Sequence, residues 1–500
     1  MGEKSVKRLR CVRESAAGEG VSLLQQEVSG KLTAALLLAG GIGAGVLSIF
    51  PGQERMIIAF LLLLALGSLV VRNPLRAAFM LLIFLSTLGF FRRLLISVSG
   101  IAAYDPLVLI PPAVVGLLFM VSVWKAEDVF NSLLARLVGM LMIVIIYQVF
   151  NPLQGGLPVG LAGTIFFLTP LCWFYIGRRY LGTEAFTVLE RILIGMGLVC
   201  GVYGLWQNMV GFFPFEEAWV EAVRHKYVTL VVYGKTRAFS TFASFTEFTN
   251  FMSVILVLSC SKLLFRAGSW PLFLLLGAVA MACIVYSGMR GTVVMFILSA
   301  MAVAAVRHYR RPLRIILSIT VILLLLSVFL ALIGNLEFSP ESAPVAEHLV
   351  GGLTDPLNPQ KSSLVHHVDS MLRGMRIGTA NPLGFGTGST NLGGDKFRGI
   401  NLSAEVDLVD TLMATGWAGG IIYLAVVGLV IWQAVRLNAM FPHNYQFCMV
   451  LWILLFLGGQ WLNGGNYFLS SLVWLLAGWL DGKHDEIARG KRTGPGSEGT

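Results

Sequence analysis

Four arginines, one glutamate and two neighbouring histidines carry the chemistry this sequence could do. Arg237 lies in Gly234-Lys-Thr-Arg-Ala-Phe-Ser-Thr-Phe, just ahead of an apolar run. Arg290 lies in Tyr286-Ser-Gly-Met-Arg-Gly-Thr, a turn so short that its side chain must stay at the membrane surface. A guanidinium is always charged and forks onto phosphate oxygens, so such a pair suits a diphosphate. A single interfacial arginine also serves as a lipid-headgroup anchor, and for Arg290 alone that alternative stands. Arg373 and Arg376 are three apart on an expected helix and project from one side of it, with His366, His367 and Asp369 shortly before them. The histidine pair lacks metal spacing, and a solvated loop face is its plainer reading. The run Gly384-Phe-Gly-Thr-Gly could cradle an anion with backbone N–H groups, although plain turns share that composition. Glu405, at a membrane edge near several arginines, could act as a general base on a sugar hydroxyl. Asp407, Asp410 and Glu247 suit the positive end of a helix dipole.

The elements that must hold these groups are apolar helices. Hydrophobic residues make up 56% of the 500 and charged residues 13%, with mean hydropathy +0.77, where a soluble domain carries roughly 25% charge. A soluble multidomain architecture is excluded. The net charge of +10 sits mostly in short connectors, where it sets topology, so nucleic acid is not an expected partner. The six cysteines are scattered and read as buried small hydrophobes; no metal and no cofactor are expected. About thirty polar residues precede the first apolar run, too many for a secretory n-region, so the first helix is expected to remain as an anchor.

A spanning helix takes about 20 mostly apolar residues. The expected spans are 33–50, 56–72, 76–91, 106–124, 133–150, 158–177, 192–210, 245–265, 270–287, 292–306, 313–334, 408–435, 446–462 and 466–480. The fold class is thus an all-α polytopic membrane protein of about fourteen helices. Residues 1–32 form a cytoplasmic tail, 33–334 hold helices one to eleven with an external loop about 211–244, and 335–407 form a large external loop capping the bundle. Residues 408–480 hold helices twelve to fourteen, and 481–500 form a second cytoplasmic tail. Basic residues in the N-terminal tail, at Arg72 and Arg76, Lys125 and Arg136, Arg178 and Arg179, Lys262 and Arg266, Arg307 to Arg314, Arg436 and the C-terminal tail all fall on one side, which positive-inside placement makes cytoplasmic. Arg92 and Arg93 disagree: they fall outside, so a re-entrant or interfacial segment holds them or a helix there is misassigned. Within the large loop a helix is expected over 361–378, from Leu364, Val368, Met371, Leu372 and Met375.

Taken in order, these motifs resemble the superfamily of O-antigen ligases and O-antigen or exopolysaccharide polymerases. An Arg followed by Phe, Ser and Thr ahead of a helix resembles the first family motif, at Arg237. The Ser-x-x-Arg-Gly turn at Arg290 resembles the second. The loop arginines, Asn381-Pro-Leu-Gly-Phe-Gly-Thr-Gly and the following Gly416-Trp-Ala-Gly419 resemble the third. The motif match runs from about Arg237 to Gly419, and the rest of the chain matches in general architecture only. The resemblance implies an inverting, metal-independent transferase whose arginines hold the diphosphate of a polyprenyl-linked glycan. Flippase and chain-length regulator proteins are the partners it implies, beside an acceptor glycan and membrane lipid. Ligases of the family carry a histidine at the position that Glu405 occupies here, which favours the polymerase-like branch, with Glu405, His366 or His367 as base.

The expected function is therefore polymerisation of a surface polysaccharide at the outer face of a bacterial cytoplasmic membrane. The diphosphate would be held by Arg237 and Arg290, with Arg373 or Arg376 completing the clamp. The competing expectations are a ligase-like transferase acting on another acceptor and a secondary transporter for a small solute such as bicarbonate. A transporter usually places ionisable residues and broken helices near the bilayer midplane, and the expected spans hold almost no charge in their interiors. A flippase is disfavoured by the same observation.

Overall fold

The structure, a computed structural model, describes residues 53–100, 105–124, 128–224, 228–232, 234–309, 311, 313–322, 324, 364–397, 402–462 and 467–492. In chain order the helices are α1 (Glu54–Arg72), α2 (Pro74–Leu94), α3 (Ile110–Trp124), α4 (Leu133–Tyr147), α5 (Leu157–Tyr180), α6 (Thr183–Met209) and α7 (Pro214–Val223). After a two-residue hairpin, β1 (Val231–Val232) with β2 (Lys235–Thr236), come α8 (Phe245–Leu264), α9 (Trp270–Ser287) and α10 (Arg290–His308). The remaining long helices are α11 (Leu364–Ala380), α12 (Asp407–Met440), α13 (Tyr445–Phe456) and α14 (Tyr467–Arg492), with a short α-helix, Leu392–Phe397, between α11 and α12.

Among the described residues, ten helices are long and apolar enough to cross a membrane, so the chain is a helical, polytopic membrane protein. The expected span 33–50, residues 325–334 and the loop section 335–363 lie outside the described residues. The expected span 446–462 is the twelve-residue α13 followed by non-helical chain. Twelve residues rise about 18 Å, well short of a hydrocarbon core of about 30 Å. The span expected to end at 480 continues as α14 to Arg492, so the tail expected from 481 begins as helix.

Local chemistry fixes where the helices start. Asn73 Oδ1 accepts from Arg76 N at 3.0 Å, Ser132 Oγ from Ala135 N at 2.9 Å and Ser244 Oγ from Glu247 N at 3.1 Å. Each satisfies one of the N–H groups a helix leaves unpaired at its start. Beside Arg178, α5 and α14 approach closely at Gly177 and Gly478. A Cβ on either would press on a backbone carbonyl of the other helix, at Leu475 and Phe174 respectively. Small residues let helices pack at backbone distance where lipid gives no hydrophobic drive between them.

The bundle has two chemically different ends. At one end, Arg178 pairs with Asp481 and Asp485, Ser132 Oγ and Gln433 Nε2 also donate to Asp481, and Lys262 donates to Glu190 and Tyr445. Arg72, Arg179 and Arg307 close helices there, Arg436 lies near the end of another, and we call it the basic end. The other, loop end carries α7, the hairpin, α11 and residues 381–406. Arg92 and Arg93, which positive-inside reasoning could not place, are at the loop end. Arg92 and Arg55 share the Asp105 carboxylate at 2.8 and 2.9 Å, and Arg93 is buried under the segment 238–244. They are explained by these partners and need no reassigned helix.

One expected span is broken. Within α12, Gly416 takes φ +70° and ψ −166°, outside any helical geometry. Leu412 packs on Gly420, eight residues on, and Tyr423 Oη donates to Asp407 at 3.2 Å. A straight helix would hold residues eight apart about 12 Å from each other. Residues 407–415 therefore fold back along the start of the span that runs from 417 to 440. The far end of this fold-back segment meets the non-helical chain after α13: Asp407 N donates to Gly459 O and Leu462 N to Asp407 Oδ2, at 2.9 and 2.8 Å.

Candidate functional site

Arg237 sits on a segment built with unusual care. Residues 238–242 are buried between α2, α6 and α8. The Arg93 guanidinium donates to Phe242 O at 2.7 Å and Ser240 O at 2.6 Å, lies 4.3 Å over the Phe239 ring and faces Glu216 of α7. Gln207 Oε1 accepts from the backbone N–H groups of Phe239 and Ser240, while Ser240 Oγ donates to Cys200 O. Ser240 is held at φ +49°, a strained conformation for a residue with a Cβ. These bonds fix the chain immediately after Arg237 and deliver Ser244 as the cap of α8.

The Arg237 guanidinium lies 4.8 Å over the Phe245 ring, and its Nε is buried with no hydrogen-bond partner. Burial pushes its pKa down to about 10, and the neighbouring charge of Arg290 adds to the effect. The two arginines named by the sequence thus come together. Arg290 opens α10, where the helix dipole is positive, after a left-handed turn at Gly288 (φ +64°). Lys235 of the hairpin brings a third cation, 6.0 Å from the ring of Tyr286, at the end of α9. Like charges gathered at a helix N-terminus are relieved when an anion lies between them.

The second cluster joins two residues 38 apart in sequence. His367 Nδ1 lies 2.8 Å from Glu405 Oε2, and both side chains are more than half exposed. This hydrogen bond, with the opposite charge, raises the His367 pKa above the ordinary histidine value and lowers that of Glu405. His367, Met371, Gly374 and Gly378 share the stripe of α11 that faces α12, where a Cβ at Gly374 or Gly378 would touch Val409, Leu412 and Met413. Glu405 reaches the histidine from a left-handed backbone, φ +62°. Asp410 holds that turn: it accepts from Ser403 Oγ at 2.7 Å and Ala404 N at 2.6 Å, and Ser403 Oγ in turn accepts from Glu405 N at 3.1 Å.

A chain of hydrogen bonds leads from α10 toward the start of the fold-back segment. Thr292, two residues after Arg290, donates to Asn250 at 3.2 Å, and Asn250 donates to Gln460 at 3.2 Å. Gln460 follows Gly459, the acceptor of Asp407 N, two residues beyond Glu405. Arg373 and Arg376 are placed differently. They are exposed on the side of α11 turned away from α12, where Arg373 pairs with Asp369 at 3.2 Å. His366 is exposed beside them and does not share the stripe of His367.

The glycine run expected to cradle an anion does another job. Phe385 N and Gly386 N donate to Met413 O and Ala414 O, Gly384 N to Asn381 O, Gly388 N to Gln154 Oε1 and Ser389 N to Gly386 O. These five donors are spent within the protein. The run plugs the loop end against α4 and α5, with Thr387 bonded to Thr164 and Gly160 O, and with Gln148 and Asn151 donating to Leu383 O and Gly384 O.

Sequence reasoning missed the roles of Arg93, Gln207 and Lys235, and read Asp410 as a helix-dipole charge where it holds the Glu405 turn. Arg93 left a signal, as a charge on the wrong side of the topology. The expectation of nearly uncharged helix interiors also needs correcting, because Glu190, Glu247, Asp407 and Asp481 are all buried within helices, Glu247 and Asp407 in a first turn and Glu190 and Asp481 further in. Among the described residues no three His, Cys, Asp or Glu side chains group as a metal site would. No family model matches this chain, and no curated protein matches it.

Proposed function

We propose that the chain is a membrane glycosyltransferase that transfers a polyprenyl-diphosphate-linked glycan onto a sugar hydroxyl, extending a surface polysaccharide. The observation that carries this reading is the meeting of Arg237 and Arg290, one of them buried and lacking a partner at Nε, at the helix end best suited to an anion. The loop end is then the extracytoplasmic face, since the basic end meets the positive-inside expectation.

In this mechanism the two guanidiniums hold the diphosphate. Nδ1 of His367 donates to Glu405, which leaves Nε2 as the base and lets the carboxylate steady the imidazolium that forms, as in an Asp–His pair. The acceptor oxygen attacks the anomeric carbon and its proton passes to His367 Nε2. The bond from that carbon to the diphosphate oxygen breaks, its electron pair leaves on the diphosphate, and the arginines stabilise the charge that develops. Glu405 and His367 thus act together, where the sequence offered them as alternatives. His366, Arg373 and Arg376 have no part in this scheme. Polymerase and ligase differ here only in the acceptor, and the departure from the ligase histidine at Glu405 supports the polymerase.

A second reading rests on one observation. The fold-back segment 407–415 and the interrupted chain after α13 meet at Asp407, and paired broken helices are a habit of secondary transporters. Replacing Arg290 with Ala in cells that make the polysaccharide separates the two. Loss of long chains with accumulation of single lipid-linked units supports the transferase. A full-length glycan at normal level sinks it and leaves the transporter.

A further inference from the structure

The loop helix α11 leaves a second stripe open. Val365, Val368, Leu372 and Met375 recur at helical spacing and are each about 40–47% exposed. This stripe is distinct from the one packed on α12, and Arg376, Asp369 and Arg373 border it on the far side, with His366 beyond. The helix is therefore apolar over more than half its circumference, with arginines along the border.

The far end of the stripe joins a surface that faces lipid. Thr379, one turn after Met375, gives its carbonyl to Trp417 Nε1 at 3.2 Å. Trp417 is 49% exposed and heads the outward row Trp417, Ile421 and Leu424 of the membrane span in α12. Across the plug formed by 381–391, Tyr147 and Phe150 at the end of α4 are 76% and 71% exposed, and Leu383, whose carbonyl accepts from Gln148, is 78% exposed. Exposed aromatic rings at one end of a bundle mark the level of the lipid headgroups.

We propose that α11 is an interfacial helix: its open stripe lies in the acyl boundary of the leaflet at the loop end, and Arg373 and Arg376 bind phospholipid phosphates. The occupant is bulk bilayer lipid, because the stripe is continuous with the lipid-facing row of α12 and because the arginines stand at its edge, where they reach phosphate by snorkelling. Arg373 and Arg376 then belong to the bilayer and not to the substrate. The helix also carries His367 on its other face, so lipid contact and base position are set by one rigid element. None of this depends on the proposed transferase activity.

The test uses the full chain in phospholipid nanodiscs, with Cys11 and Cys260 replaced by Ala and a bimane label on Val368→Cys, Leu372→Cys or, as control, Asp369→Cys. Quenching by acyl-brominated phospholipid should be at least about twofold stronger at 368 and 372 than at 369, with the reverse order for aqueous iodide. Adding Arg373→Ala and Arg376→Ala to the Leu372→Cys protein should lower its bromolipid quenching by about twofold. Equal iodide access at all three positions overturns the proposal. So does shielding of 368 and 372 from both quenchers, which would mean that protein covers the stripe. Loss of bromolipid quenching on adding a polyprenyl phosphate overturns it as well, in favour of a substrate-chain groove.

Discussion

His367 and Glu405 form a hydrogen-bonded pair at 2.8 Å, and Glu405 reaches the histidine from a left-handed backbone of φ +62° that Asp410 holds in place. A non-glycine residue pays for such a conformation with about 1–3 kcal/mol, and such strain gathers at functional sites. If the pair is one base, His367→Ala should lower the turnover number by about 10²–10⁴-fold. Glu405→Gln should lower it less, and the double variant should be no worse than His367→Ala alone. Chain extension by the three purified proteins checks this; additive losses would separate the two residues.

The same pair sets a pH dependence. Only neutral His367 can accept the proton, so the rate rises with pH through the His367 pKa. Glu405 raises that pKa above the ordinary histidine value. Removing the carboxylate lowers it, so the acid limb of the profile for Glu405→Gln should move to lower pH, with a smaller plateau. A pH–rate profile of both proteins reads the direction of the shift.

Arg237 is a group held for a ligand at the expense of the resting protein. Its buried Nε makes no hydrogen bond and Arg290 repels it. Arg237→Met should therefore leave the unliganded protein as stable or up to about 1–2 kcal/mol more stable while abolishing activity. The stabilisation of the wild type by inorganic pyrophosphate, read as a thermal shift, should vanish in the variant.

Arg93 should behave in the opposite way. It is 1% exposed and satisfies the carbonyls of Ser240 and Phe242. Arg93→Ala takes the guanidinium from both acceptors and the counter-charge from the buried Glu216 carboxylate, and should cost about 3–5 kcal/mol, taking activity with it through the displaced Arg237. Denaturation in detergent measures the loss. Unchanged stability would show that the segment 238–244 stands without its guanidinium.

Gly416 and Gly384 meet at the bend of α12, both at positive φ. A Cβ at Gly416 would press on the Pro382 carbonyl oxygen in addition to the backbone strain. Gly416→Ala should cost several kcal/mol, on the order of 3 or more, and reduce the folded yield in the membrane. The Gly182→Ala variant, at a site open on all sides and with ordinary φ, is the control.

The long apolar runs and the basic end were legible in the sequence, because periodicity and charge placement are local properties. So was the loop helix, expected over 361–378 and found at Leu364–Ala380. The bend at Gly416 was not, because Gly-x-x-Gly in an apolar run has the same composition whether helices pack there or the chain reverses. The run at Gly384 misled for a related reason: its donors find Gln154, Met413 and Ala414, partners that no local pattern reveals. Arg237, Arg290, His367 and Glu405 were each singled out by residue type and setting. The pairing of His367 with Glu405 across 38 residues needed the fold.

The most direct measurement gives the purified protein a polyprenyl-diphosphate-linked repeat unit and follows both the glycan ladder and released polyprenyl diphosphate. The expected result is a ladder with stoichiometric release in the wild type, reduced by about 10³-fold or more in Arg290→Ala. A wild-type protein that binds or moves a small solute but leaves the lipid-linked unit intact would contradict the transferase.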